Sequence, residues 1–518
     1  MCGIIGVIRS LSERERTLEN KEDSESAREA FLGLLTLQHR GQDGAGILTY
    51  GPKGFRQVKG IGLAESIFTK EQMVELSGPL AIGHTRYSTT GRGALHEVQP
   101  FLVSYPFGIG LVHNGNIVNF TSLAEEMVRE SRFSVLSGSD SEVLLNLLAE
   151  GLIDGLEAER KKSVKDATPK RLSRDLIQRA LEHLYKKANG SFSVVAAIAG
   201  NGMLAFRDPY GIRPLVLGER VDADGVKSRM VASETVALYF NGYEVVRSLE
   251  PGECLWIDES GEMQSLTIGK ATPRPCMFEW IYFASAESEI GGLPVYGARI
   301  ELGKMLAPIV RERLKKLGAD IDVVAAVPDT SRTAATALAE ELGVSYREVL
   351  IKNRYIKRTF ILSGEDKRQK AVNLKLSPVR SELVGKRVLL VDDSIVRGTT
   401  SKKIVELVRK AGAKEVYFVS ACPPIRHPCY YGIDFPSGDE LLAFGRDSEQ
   451  IEREIGADAV IYMTHDGLLA SLRNNQPGLT PCLACLDGNY PTDVSEGKRF
   501  AEKRTRDRAH EKLQGVSG

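Results

Sequence analysis

The sequence predicts two architectures in one chain: an α+β sandwich with helices, followed by an α/β domain built on a parallel sheet. Three observations carry this. The 518 residues are enough for more than one domain at about 150 residues each. The first half alternates short β-type runs with turns and intervening helical patterns. From about Arg299, apolar strands alternate with amphipathic helices, the rhythm of βαβ units.

In the first half, the runs Leu80–Gly83, Ile109–His113, Ser191–Ile198 and Glu253–Ile257 read as strands, and Ser26–Gln38 and Ser139–Glu150 read as helices. The Lys/Arg/Glu-rich stretch Glu157–Lys187 reads as a solvated helical insertion with no assigned function. A boundary is expected between Gly261 and Pro275. In the second half, strands are expected at Asp322–Val327, Arg387–Val391, Glu415–Ala421 and Ala457–Tyr462, with helices at Thr333–Leu342 and Ser401–Ala411. The charged end from Val494 is expected to be a frayed helix or a disordered tail. Three units follow: residues 2–260, 275–475 and 476–518.

Lys plus Arg and Asp plus Glu both number 68, giving zero formal charge. That balance argues against nucleic-acid binding, which normally needs a basic excess. Apolar residues are 42% and charged residues 26%, an ordinary globular profile. No stretch approaches the roughly 18 apolar residues of a membrane span. The apolar opening Cys2–Ile8 is too short for a signal peptide. A cytoplasmic location without membrane partners is the expectation. Seven cysteines are present; in a reducing compartment they point to free thiols, a nucleophile or a metal site rather than disulfides.

Cys2 follows Met1 directly. Removal of Met1 would leave a thiol beside a free α-amine of pKa about 7.7–8.0, a nucleophile and its general base on one residue. Four further segments strengthen that reading. Leu37–Gly46 is polar and glycine-rich and includes Arg40. Gly83–Gly91 sets Arg86 among hydroxyls, suited to a ligand carboxylate. His113-Asn-Gly-Asn116 offers the Asn114 amide and the Gly115 N–H as an oxyanion hole. Ser139-Asp-Ser-Glu142 brings Asp140 to a helix start, where an N-cap is its plainer role.

This constellation resembles the glutamine amidotransferase domain of the N-terminal-nucleophile family over about residues 2–250, which implies an αββα sandwich. The resemblance implies that Cys2 attacks the glutamine amide and that Asn114 and Gly115 hold the oxyanion. It also implies that Arg86 and Asp140 take the substrate α-carboxylate and α-ammonium, while Arg40 orders the surroundings. The run Arg207–Pro214 fits the family as well, and a structural turn explains it equally.

Val388–Ser401 sends a strand into adjacent carboxylates, Asp392 and Asp393, at the strand end where open α/β sheets bind ligands. Such a pair suits ribose hydroxyls and a hard divalent cation. Ser394, Arg397, Gly398, Thr399, Thr400 and Ser401 follow as a phosphate cradle at a helix start. The segment resembles the binding motif of type I phosphoribosyltransferases, which implies 5-phosphoribosyl 1-diphosphate and Mg2+, with Thr330 near the metal. Lys352–Phe360 and the stretch to Lys375 read as a basic loop over the diphosphate, with Tyr355, Arg358 and Lys375 implied as contacts.

A glutaminase followed by a type I phosphoribosyltransferase resembles the amidophosphoribosyltransferase family over about residues 2–490. The resemblance implies transfer of glutamine-derived ammonia to the diphosphate sugar, giving 5-phosphoribosylamine, glutamate and pyrophosphate, the committing step of purine synthesis. It also implies an internal ammonia channel, inhibition by purine nucleotides and a homotetramer. Cys482-Leu-Ala-Cys485, with Cys276 and Cys429 beside prolines, suits an iron–sulfur cluster or a four-thiolate zinc site. The four positions match the cluster-bearing branch of the family, which implies a 4Fe-4S centre. Cys254 and Cys422 read as core.

Three departures stand out. Only Met1 is expected to need removal where cluster-bearing relatives commonly carry a short leader, Phe283-Ala-Ser-Ala-Glu-Ser288 departs from the Arg-Pro-Asp usual after Phe-Ala, and Lys357 stands where Gly is usual. Two competing readings are another N-terminal-nucleophile amidotransferase and a non-catalytic regulator sensing the diphosphate sugar. The Asp392–Asp393 cradle disfavours the first; Cys2, Arg86, Asn114 and Asp140 together disfavour the second.

Overall fold

The computed structural model describes residues 1–10, 25–87, 94–130, 133–162, 171–221, 225–353, 376–435 and 438–499. The first half is two stacked antiparallel sheets. One has seven strands in the order Glu244–Ser248, Val216–Val221, Lys227–Ala232, Gly3–Arg9, Leu80–Arg86, Gly44–Gly51 and Gly54–Ile61. The other has six, Met263–Thr267, Glu253–Ile257, Gly202–Arg207, Gly190–Ile198, Ile109–Ile117 and Phe101–Val103.

Strand alternation builds the layers. Ile4, Ile82 and Leu48 point between the sheets, against Val112, Val195 and Met203. Their neighbours Ile5 and Val7 point outward, under Ala27, Ala30 and Leu34 of the helix Glu25–Thr36. Beyond the second sheet, Ile109, Leu111, Val194 and Ala196 pack against the helices Asp140–Lys162 and Arg174–Lys187. The result is the expected αββα sandwich.

The stretch expected to be a solvated insertion proves to be part of that outer layer. Leu176, Ile177, Ala180, Leu181 and Leu184 are buried on one face of Arg174–Lys187. Their spacing makes a continuous stripe that high charge on the other face obscured. Residues 163–170 lie outside the described residues.

In the second half, Val323–Ala326, Arg387–Asp392, Glu415–Ser420 and Ala459–Tyr462 form a four-stranded parallel sheet in that order. Helices Val295–Leu317 and Arg332–Leu342 cover one face through Leu302, Leu306 and Leu338. Thr399–Lys410 and Ser448–Ile455 cover the other through Ile404, Val405 and Ile451. The strand ends that carry the acidic pair and Thr330 therefore lie along one edge.

The end of the chain is docked rather than frayed as far as Arg499. Val494 is buried. Glu496 accepts hydrogen bonds from the Ser122 backbone N–H at 2.9 Å and its hydroxyl at 2.7 Å. The tail beyond it, residues 500–518, lies outside the described residues. Among the described residues, no helix is long and apolar enough to cross a membrane.

Candidate functional site: a nucleophile cleft, an acidic pair and a thiol pocket

Cys2 stands at the start of the strand Gly3–Arg9, beside Leu80–Arg86, where Gly3 pairs with Thr85. That strand runs three residues further than expected, and the extension sets Arg86 at the same sheet edge as the nucleophile. Cys2, Arg86, Gly115 and Asp140 line one cleft together with Cys429, Gly432 and Phe435 of the second half.

The Cys2 backbone N–H donates to Asn114 Oδ1 at 3.3 Å. Because an N–H must meet an acceptor, this bond fixes the amide's orientation. Asn114 is buried and its Nδ2 has no hydrogen-bond partner among the described residues. An unpaired buried donor costs stability unless a ligand uses it. Gly115 is held by space: a Cβ there would lie 2.0 Å from the Ser191 carbonyl oxygen.

Asp140 opens the helix Asp140–Lys162. Its Oδ2 accepts from the Ile117 N–H at 2.9 Å, and its Oδ1 lies 3.8 Å from His113 Nδ1. Burial pushes the His113 imidazole below its ordinary range, so it is neutral near pH 7. Arg86 pairs with Glu97 Oε2 at 2.5 Å, a partner the sequence reading missed because it sits in a separate turn. The amino group of Met1 is buried and pushed down from 8.0 to about 6 by desolvation. An amine in these surroundings is a neutral base near pH 7.

Arg40, expected among the glutamine-binding residues, does not line the cleft. Its guanidinium is fully buried between Glu234 and Glu279, with Glu279 Oε2 at 2.6 Å. The physical reason is its position after the helix Glu25–Thr36, beneath the sheet edge, where two carboxylates compensate it. The segment Arg207–Pro214 is a structural turn. Asp208 accepts from the N–H groups of Phe192 at 3.1 Å and Tyr210 at 2.9 Å. Arg213 reaches the second half, donating through Nε to the Tyr431 carbonyl at 2.8 Å.

In the second half, Asp392 ends its strand and is buried, and Asp393 and Ser394 follow in the loop. Burial, then repulsion from Asp393, pushes Asp392 well above the carboxylate range. Burial pushes Asp393 up to about 6. Two adjacent carboxylates held up by burial are a donor set suited to a divalent cation. Arg299, which the sequence reading missed for want of any local motif, lies behind the pair and favours the charged form of Asp393. It is anchored to the carbonyls of Trp280 at 2.9 Å and Ala284 at 2.8 Å.

Gly398 has φ +74° and precedes the helix Thr399–Lys410; a Cβ there would lie 2.9 Å from Leu442 Cδ2. Thr399 and Thr400 are exposed at the helix start. Ser401 turns on to the packed face with Ile404 and Val405 instead. Arg397 leans toward Glu440 at 3.3 Å. Thr330 sits past the neighbouring strand, whose Val327 N–H donates to the Val391 carbonyl at 2.8 Å. Tyr355, Arg358 and Lys375 lie outside the described residues, as does Lys357.

Cys276, Cys429, Cys482 and Cys485 line a second, small pocket with Arg213 and Tyr431. Cys276 and Cys482 are bridged through their backbones. Burial pushes the Cys276 thiol up to about 11 and raises the Cys482 and Cys485 thiols as well. Among the described residues, no three His, Cys, Asp or Glu side chains converge tightly enough for a single metal ion. The four thiols are brought together as the lining of that one pocket. Cys254 and Cys422 are buried away from this pocket's lining.

Comparisons with known proteins agree with this division. Residues 84–239 match the glutamine amidotransferase domain model, and residues 299–432 match the phosphoribosyl transferase domain model. The amidophosphoribosyltransferase of Pseudomonas aeruginosa is 42% identical over 524 residues, covering 100% of this chain and 98% of that protein. That of Saccharomyces cerevisiae is 40% identical, covering 97% and 95%. Among solved structures, the glutamine phosphoribosylpyrophosphate amidotransferase of Bacillus subtilis, complexed with ADP and GMP, superposes with a TM-score of 0.78 at 36% identity. The alignment covers 95% of this chain and 98% of that one. With relatives this similar along nearly its whole length, the chain belongs to the amidophosphoribosyltransferase family.

Proposed function

We propose that the chain divides its family's reaction between the two sites just described. The reaction joins glutamine, water and 5-phosphoribosyl 1-diphosphate to give 5-phosphoribosylamine, glutamate and pyrophosphate, the first committed step of purine synthesis. The observation that carries the division is Asn114: a buried donor without a partner, tied by its other end to the nucleophile. Once Met1 is removed, the Cys2 amine takes the thiol proton and the thiolate adds to the glutamine amide carbon. Asn114 Nδ2 and the Gly115 N–H hold the oxyanion. Ammonia leaves, and water then releases glutamate from the thioester. Arg86 and Asp140 fit the two charged ends of glutamine.

In the second site, Asp392 and Asp393, with Thr330, would hold Mg2+, which neutralises diphosphate charge when bound. Ser394, Gly398, Thr399 and Thr400 offer the diphosphate sugar hydroxyls and N–H groups, and Arg397 offers a cation. Ammonia passes inward between the halves, since the cleft's far wall is residues 428–435 of the second half. Four thiols around one buried pocket fit a 4Fe-4S cluster, which would hold the segments around Cys276, Cys429 and Cys482–Cys485 together. We further propose a cytoplasmic homotetramer inhibited by purine nucleotides; the Bacillus subtilis relative with ADP and GMP supports the last point.

The test is pyrophosphate release from 5-phosphoribosyl 1-diphosphate, with glutamine and then with ammonium. Wild type should respond to both. Cys2→Ala should lose the glutamine reaction and keep the ammonium one; loss of both in folded protein would reject the division of labour.

A further inference from the structure

The loop from Pro428 to Phe435 belongs to the second half in sequence but stands against the oxyanion turn of the first. The Asn116 side-chain amide donates to the Tyr430 carbonyl at 2.9 Å. The Tyr431 carbonyl receives the Ser191 hydroxyl at 3.1 Å and Arg213 Nε at 2.8 Å. Directly after these anchors comes Gly432, with φ +96°, in the left-handed region that a side chain disfavours. A Cβ at Gly432 would lie 2.9 Å from the Gly115 carbonyl oxygen and 3.2 Å from its carbonyl carbon. Backbone therefore meets backbone at the residue whose N–H faces the developing charge. On its far side the loop is tied down independently: the Tyr490 hydroxyl donates to the Pro428 carbonyl at 2.7 Å, and the Thr492 N–H donates to the Tyr431 hydroxyl at 3.0 Å. Phe435 packs edge-on against Phe278, with ring centroids 5.2 Å apart.

We infer that Gly432 is a positioning residue for glutamine cleavage: its bare backbone presses the Asn114–Asn116 turn into the geometry that serves the oxyanion, so the second half completes the first half's catalytic site. Gly115 is tightly packed on its other side as well, against the Ser191 carbonyl. The turn is thus clamped between two backbones and has little room to yield. Oxyanion donors must sit within a few tenths of an ångström of place, and losing one costs about 100–1,000-fold in rate. A displaced turn is expected to lose part of that.

The inference rests on the oxyanion role proposed for Asn114 and Gly115, and the experiment separates the two. In the full-length enzyme supplied with both substrates and Mg2+, Gly432→Ala should lower kcat for glutamine hydrolysis at least tenfold. KM for glutamine should stay within about twofold. Ammonia-dependent synthesis and the rate of Cys2 alkylation by iodoacetamide, followed on the Cys2 peptide, should be unchanged. A merely structural defect would lower the last two as well, and that outcome, or an unchanged kcat, overturns the inference. Where Gly432→Ala fails to fold, Ser191→Ala decides, since it removes the hydroxyl that links the loop to the oxyanion segment, donating to the Tyr431 carbonyl at 3.1 Å and accepting from the Asn116 N–H at 3.3 Å. A threefold or larger fall in kcat with KM and alkylation unchanged supports the inference, and no change overturns it. If Asn114→Ala retains full glutamine hydrolysis, the oxyanion reading itself fails. If Asn114→Ala is inactive and Gly432→Ala is not, only the role of Gly432 fails.

Discussion

Cys2 and Asn114 are joined by one hydrogen bond, from the Cys2 N–H to Asn114 Oδ1 at 3.3 Å, and that bond sets the polarity of the site. With the oxygen engaged, the amide must present its NH2 to the place where a tetrahedral oxyanion would form. Asn114→Ala is therefore expected to lower glutamine hydrolysis by about 100–1,000-fold, the usual cost of one oxyanion donor. Asn114→Asp should do no better, because an acceptor would replace the donor. Ammonia-dependent pyrophosphate release should persist in both variants. Glutamate release measured beside it checks the pair, and equal loss of the two activities would remove Asn114 from the oxyanion hole.

Arg40 is expected to act chiefly through stability. Its charge is fully buried and compensated by Glu234 and Glu279. Removing the cation leaves Glu234 to His39 and Glu279 to Arg213 alone among charged partners, and breaking such a buried pair costs about 3–5 kcal/mol. Arg40→Met should fall sharply in thermal midpoint, while the folded fraction keeps a KM for glutamine within about twofold of wild type. A large rise in KM without loss of stability would return Arg40 to the substrate site.

These two residues mark how far the sequence can be read. Cys2, Asn114, Gly115 and Asp140 are legible as candidates because each lies at a strand end or helix start within a short motif. Arg86 is legible as a cation, but its partner Glu97 is not, since the two meet only when separate segments fold together. The partners of Arg40 are hidden for the same reason: its carboxylates lie 194 and 239 residues away. The helix Arg174–Lys187 shows its charge in the sequence, yet its place is set by five buried apolar residues on one face. The position of Asp392 at a strand end is legible from the apolar run before it and the glycine after it. Arg299 behind the acidic pair carries no local signal, and neither does Gly432 beside Gly115.

His84 gives the chain an acid-sensitive core. It is fully buried between the sheets, in register with Ile4, and neither ring nitrogen has a hydrogen-bond partner among the described residues. Burial, and then the charge of Arg86, push the imidazole well below 6.5. The sign follows directly: the unfolded chain binds a proton below about pH 6.5 that the folded chain refuses. Stability is thus complete above that pH and is lost as pH falls below it. His84→Asn should make the thermal midpoint less dependent on pH between 7 and 5. The slope of stability should flatten by up to about 1.4 kcal/mol per pH unit, the contribution of one proton. Identical slopes in wild type and variant would mean that His84 is protonated in the folded state.

The thiol pocket makes a compositional prediction that is independent of activity. Four thiols line it, and burial holds Cys276, Cys482 and Cys485 in the protonated form. They are costly to ionise, and only a strongly bound soft cation repays that. A zinc site of four thiolates draws its sulfurs to within about 2.3 Å of one ion, whereas the proposed cluster spreads them over several irons, and composition tells the two apart. Protein purified without oxygen should therefore contain iron and acid-labile sulfide in equal amounts. Cys429→Ser should lose both, because Cys429 comes from a loop that no other ligand shares. Stoichiometric zinc without sulfide would reject the cluster and keep the site. Neither metal bound to freshly prepared protein would leave the four thiols as packing alone, and Cys429→Ser should then cost no more stability than an ordinary substitution in a half-buried loop.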